Sequence, residues 1–207
     1  MGLFLSILAI KNKSEEEVEN AIKASKNDLK FVGKESANEI TGQPFLYEIE
    51  KKQKEWTLVF LPESETEKIA ELVSNNLKGM VFFFHLHDGS YWMFELYDSG
   101  KKKDQFNPMP DDYQEVSDEE KKALKGQPKL LSETFKVPES KIKPYLQFWE
   151  DVEDDKKAFS TDEFPIKNEW SFVDFMQKFN IKYPDFEHPE NVHLTRLIFK
   201  KKIFGLF

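Results

Sequence analysis

Cysteine is absent from the chain. That excludes a disulfide framework, a thiol nucleophile and any cysteine-ligated zinc site, and it fits a cytoplasmic location. Glycine is scarce, 8 in 207 residues. There is no phosphate-cradling glycine loop, no Gly-x-Ser-x-Gly elbow and no His-Glu-x-x-His, so the usual signatures of nucleotide, serine-hydrolase and zinc-protease chemistry are missing. No cofactor and no catalytic residue are assigned. Long apolar runs are missing too. Residues 3–10 are apolar but far short of the roughly 20 residues that span a bilayer. With no basic residue before the run and no cleavage signal after it, a buried first strand is expected rather than a targeting segment. The chain carries 30 Lys+Arg against 38 Asp+Glu, a net charge of -8, which argues against a nucleic-acid partner.

Aromatic side chains are plentiful, at 14% with 20 Phe, so a large core can be buried. Their densest concentration is Met80-Val81-Phe82-Phe83-Phe84-His85-Leu86-His87, then Asp88-Gly89, then Ser90-Tyr91-Trp92-Met93-Phe94-Glu95-Leu96-Tyr97. An Asp-Gly step between strand-like runs predicts a β-hairpin. If His87 faces Ser90, one face carries Val81, Phe83, His85, Trp92, Phe94 and Leu96. The other carries Met80, Phe82, Phe84, Leu86, Tyr91 and Met93. Both faces are apolar and both need covering.

The rest of the chain sorts around this hairpin. Residues 3–10 read as a strand. Ser14 with Glu17 forms a capping box before the helical spacing of Val18, Ala21 and Ile22. A short strand is expected near residues 29–32, and further strands at 45–49 and 56–61. A second box, Ser64 with Glu67, opens a helix that Gly79 should cap. Asp98-Ser99-Gly100 turns into an edge strand at 102–106. The order is that of a ferredoxin-like α+β antiparallel sheet, βαββαβ plus one added strand, over residues 1–107. Residues 108–207 read as mainly helical and packed on that sheet. They hold a third capping box, Ser117 with Glu120, a helix interrupted near Pro144, and a wide apolar arc after Asn168. In the tail, residues 192–207, apolar and basic residues alternate, as expected of a final strand or helix joining the core.

Seven polar residues could line a cleft between the halves: His85, His87, Asp88, Asp98, Asp104, Asn107 and Asp111. His85 and His87 lie two apart on one strand and could offer two ligands to Zn, Fe or Mn, with Asp88 in the adjoining turn able to add a third. Two ligands arise often by chance, and a buried His stacked on Trp92 explains the pair equally well, so no metal is assigned. Asn107 and Asp111 suit turns that bond the backbone two residues on. The acidic run Glu150 to Asp155 lacks the alternating pattern and central glycine of a calcium loop.

From His87 onward the pattern is His87-Asp88, Leu96-Tyr97-Asp98-Ser99-Gly100, Asp104-Gln105-Phe106-Asn107 and Pro110-Asp111-Asp112-Tyr113. It resembles an uncharacterised family of bacterial and plant-type α+β proteins that share a His-Asp, Leu-Tyr-x-x-Gly, Asp-x-Phe-Asn, Pro-Asp succession. This chain has Asp88-Gly89-Ser90 where those proteins carry Asp-Ser-Asp. The resemblance implies no known activity. Small α+β proteins of this kind sometimes sit beside toxin genes, which implies an immunity-type role. The expected function is therefore a non-enzymatic protein-binding module with a basic protein partner. The alternatives are a small-molecule or metal-dependent enzyme using His85, His87 and Asp88, and peripheral membrane association through the basic and apolar tail. The oligomeric state is left open.

Overall fold

The computed structural model describes residues 4–63, 65–112 and 114–202. The expectations that fall on residues 1–3, Ser64, Tyr113 and residues 203–207 lie outside the described residues. Eight strands build one antiparallel sheet: β1 (Leu5–Lys11), β2 (Leu29–Ala37), β3 (Leu46–Gln53), β4 (Trp56–Phe60), β5 (Met80–His87), β6 (Tyr91–Asp98), β7 (Lys101–Phe106) and β8 (Leu194–Lys201). Their order is β2-β8-β3-β4-β1-β5-β6-β7. The tail thus supplies an interior strand. β8 pairs Leu197 with Lys34 of β2 on one side and with Tyr47 of β3 on the other, and Leu194, Leu197 and Phe199 are buried. No helix among the described residues is long and apolar enough to cross a membrane.

The chain divides into two compact units that are discontinuous in sequence. One comprises Phe4, Phe84–Leu96 and Lys102–Tyr183, the other Leu5–Phe83, Tyr97–Lys101 and the chain from Pro184 onward.

In the second unit, helix α1 (Glu15–Ser25) starts as its capping box requires. The Glu17 amide donates to Ser14 Oγ at 3.2 Å and the Ser14 amide to Glu17 Oε2 at 2.8 Å. Helix α2 (Glu67–Leu77) starts at Thr66, whose hydroxyl accepts from the Lys68 amide. It stops at Lys78 in the left-handed region (φ +46°), one residue before the expected Gly79. The Asn76 amide donates to Ser25 Oγ at 2.9 Å and ties α2 to the end of α1. The apolar faces of both helices, Val18, Ile22, Ile69 and Val73, share a core with Leu8, Ile10, Tyr47, Val59, Val81, Phe83 and Leu197. β2 runs to Ala37, longer than expected, because β8 gives its polar half a ladder partner; the register shifts between Phe31 and Gly33.

The first unit packs a cluster of aromatic rings among aliphatic side chains such as Leu131, Ile142, Ile166 and Met176. It contains α3 (Asp118–Ala123), α4 (Pro128–Phe135), α5 (Glu139–Ile142) and α6 (Ser171–Lys178). The Ser117/Glu120 capping box forms at α3. α5 gives way to a 3-10 turn at Lys143–Tyr145, as Pro144 demands. Phe175 of α6 stacks on Phe94 (5.6 Å between ring centroids, 14° between planes) and also meets Trp92 at 5.2 Å and Phe84 at 6.4 Å. The Trp92 indole N–H donates to Ser171 Oγ at 2.8 Å, and that hydroxyl donates on to the Ile166 carbonyl at 3.0 Å.

These contacts correct the expected pairing of the hairpin. Phe84 shares its face with Trp92 and Phe94, whereas Val81 and Phe83 belong to the core of the second unit with Tyr97. The cause is the loop. β5 ends at His87 and β6 resumes at Tyr91, so Asp88, Gly89 and Ser90 all lie between them. Asp88 (φ +50°) and Gly89 (φ +62°) turn the chain, and the Ser90 amide donates to the His87 carbonyl at 2.8 Å. One additional loop residue moves every following side chain to the opposite face.

Candidate functional site

Four of the seven sequence candidates have architectural roles. Asp104 is buried in β7. Its carboxylate accepts from the Gln105 amide at 2.9 Å and the Gln127 amide at 3.0 Å, which anchors the start of α4. Burial pushes this carboxyl above its usual range despite those donors. Asn107 Oδ1 accepts from the Met109 amide at 2.9 Å, the turn its residue type predicts. Asp111 reaches further than expected. It accepts from the Val116 amide at 3.0 Å and pairs with Lys121. The Lys121 ammonium, then the Val116 amide, hold its carboxyl below the usual range. Asp88 supplies the left-handed residue of the hairpin turn.

The other three fall in two places. Asp98 lies in the second unit, where its carboxylate accepts from the Ser99 hydroxyl at 3.1 Å. His85 and His87 lie in the first unit and do come together: His85 Nε2 is 3.3 Å from His87 Nδ1. Phe4 lies edge-on to His87 at 5.2 Å and Tyr91 lies 5.5 Å from the same ring, whereas Trp92, the expected stacking partner of a buried His, packs on Phe94, Phe106 and Phe175.

One of the seven, Asp111, also lines a concavity. A cavity of about 450 Å³ in the first unit is lined by Pro108, Met109, Pro110 and Trp149, with Asp111, Asp112, Glu150 and Lys167 as its polar members. Asn107 shapes its proline turn, and the Trp149 amide donates to the Pro108 carbonyl at 3.0 Å, which holds the tryptophan against that turn. The Trp149 side chain is buried, and its indole N–H is the one buried side-chain polar atom among the described residues with no hydrogen-bond partner. Leaving such a donor unmade costs about 1–3 kcal/mol. Sequence reasoning did not place Trp149 or Lys167 in a site, and weighed Glu150 only as part of an acidic run. The adjacency of a tryptophan to the acidic run 150–155 was the available signal, but nothing local says that this residue meets a proline turn forty positions earlier.

Among the buried carboxylates of the described residues, Asp162 and Glu48 each accept several hydrogen bonds. Asp162 accepts from Tyr145 Oη at 2.6 Å, from Lys178 Nζ at 2.7 Å and from the Phe159 amide at 3.0 Å. Glu48 accepts from Arg196 Nε at 2.9 Å and from the Thr41 amide. Among the described residues, no three His, Asp or Glu side chains gather to hold a metal. No family model matches this chain, and neither the curated proteins nor the solved structures contain a match.

Proposed function

We propose that the chain is a non-catalytic protein-binding module of the immunity type, acting in the cytoplasm on a basic partner. The cavity beside Trp149 is where a lysine or arginine of that partner docks. The observation that carries this reading is the cavity's composition: an apolar wall of Pro108, Met109, Pro110 and Trp149 beside three acids, Asp111, Asp112 and Glu150, and one cation, Lys167, which pairs with Asp154 at 2.9 Å. Long cationic side chains lay their methylenes on apolar surface and keep the charge near acids or an aromatic face. The net charge of -8 adds a long-range pull on a basic protein. The Trp149 N–H gives a further donor for a partner carbonyl once its neighbours yield.

The scaffold under this reading is a ferredoxin-like βαββαβ unit with additions. It is supported by the succession β3-β4-β1-β5 within the sheet, flanked by β8 and β2 on one side and by β6 and β7 on the other.

A displayed library of random peptides tests the binding reading. Wild-type protein should enrich lysine- and arginine-containing sequences, and Glu150→Lys and Asp112→Lys should abolish that enrichment while leaving the fold intact by circular dichroism. Enrichment indifferent to charge, or unchanged by both substitutions, sinks the proposal.

A further inference from the structure

We infer that His85 and His87 together form a binding site for a divalent transition-metal ion. Alternate residues of β5 project to one face, which brings the rings together with centroids 5.5 Å apart. The decisive distance is the 3.3 Å between His85 Nε2 and His87 Nδ1. Zinc–imidazole bonds of about 2.0–2.1 Å in tetrahedral geometry place two ligand nitrogens roughly 3.3 Å apart. An N–H···O hydrogen bond has its mode at about 2.9–3.0 Å, so the pair stands wider than good proton sharing calls for. Both residues are half-buried, hence reachable by a hydrated ion. Phe4 and Tyr91 pack on the His87 ring and restrict its rotation, so the orienting cost is met before the metal arrives.

Coordination needs a lone pair on each facing nitrogen. The roles of the two facing nitrogens depend on the tautomer, so a hydrogen carried on one of them must move to the other nitrogen of its own ring before both can bind the metal. No third His, Asp or Glu among the described residues joins the pair. The affinity order follows the nitrogen-ligand series in which Cu²⁺ exceeds Zn²⁺. The site is independent of the cavity at Trp149 and does not rest on the proposed function.

Cu²⁺ alone is the probe. One equivalent should give an electron paramagnetic resonance spectrum with hyperfine structure from two imidazole nitrogens. His85→Ala and His87→Ala should each weaken binding by at least about tenfold, since losing a ligand costs no less than losing its supporting contact. A His188→Ala, His193→Ala variant should bind as the wild type does. Should the β5 variants misfold, paramagnetic broadening in the unmodified protein decides the matter: it must centre on His85 and His87. Broadening centred on His188 or on residues 150–155, or affinity unchanged in both single variants, overturns the inference.

Discussion

Replacing Ser171 with alanine should destabilise the protein out of proportion to the single oxygen removed. The hydroxyl is buried and serves twice, accepting from the Trp92 indole at 2.8 Å and donating to the Ile166 carbonyl at 3.0 Å. Trp92 is 1% exposed, so water cannot take over as acceptor. An orphaned buried donor costs about 1–3 kcal/mol, and with the carbonyl also deprived, Ser171→Ala should cost about 2–3 kcal/mol. Trp92→Phe removes the donor but leaves a ring to pack on Phe94, Phe106 and Phe175; the lost volume should cost about 1–3 kcal/mol. The double variant has no orphaned indole. Its cost should fall short of the sum by about 1–2 kcal/mol, a coupling well above the ~0.5 kcal/mol scatter of independent sites. Urea unfolding followed by both fluorescence and circular dichroism supplies the four free energies, and coincidence of the two probes checks that the transition is two-state. Additive costs, with coupling indistinguishable from zero, would refute the claim that this hydrogen bond fastens α6 to the aromatic hairpin.

Arg196→Met strands Glu48, which is 1% exposed, and should cost about 3–5 kcal/mol; adding Glu48→Gln should recover part of it, read as melting temperature. Gly100→Ala should be among the worst glycine substitutions, because φ is +79° and a Cβ would sit 2.7 Å from Asn75 Cβ. Gly42→Ala, also at positive φ (+60°) but in open space, should cost only the backbone strain of about 1 kcal/mol, and equal melting points for the two would contradict this. Burial pushes Tyr183 up to about 12, and burial with a nearby carboxylate raises Tyr47 and Tyr145 as well. These groups ionise at about pH 10 once unfolded. Their contribution is intact below pH 10 and is lost as the pH climbs through the folded values. Tyrosine absorbance at 295 nm should therefore rise together with unfolding between about pH 10 and 12, whereas six ordinary phenols titrating at pH 10 in a folded chain would count against it.

Local chemistry made part of this architecture legible. Ser14 with Glu17 and Ser117 with Glu120 set helix starts through hydrogen bonds no more than three residues long, and both boxes form. The hairpin at Asp88 was legible as a hairpin but not in its register, because Asp-Gly serves two-residue and three-residue loops alike and Ser90 decides between them through the packing of Phe84 and Phe94. The place of β8 was hidden for another reason. Its partners in β2 and β3 lie about 150 residues away, and any alternating strand could have filled that slot. The same holds for the candidate sites. The two histidines declare their shared face by spacing alone, whereas Trp149 meets Pro108 only through the folded path of the chain.

The one arginine of the sequence, Arg196, sits in the middle of β8, with ladder partners on both sides. An arginine-specific protease has a single bond to cut, and that bond is sealed inside the sheet. The rate at which intact chain gives way to two fragments is therefore a clock for the departure of β8 from between β2 and β3, readable on a gel without any label or mutation.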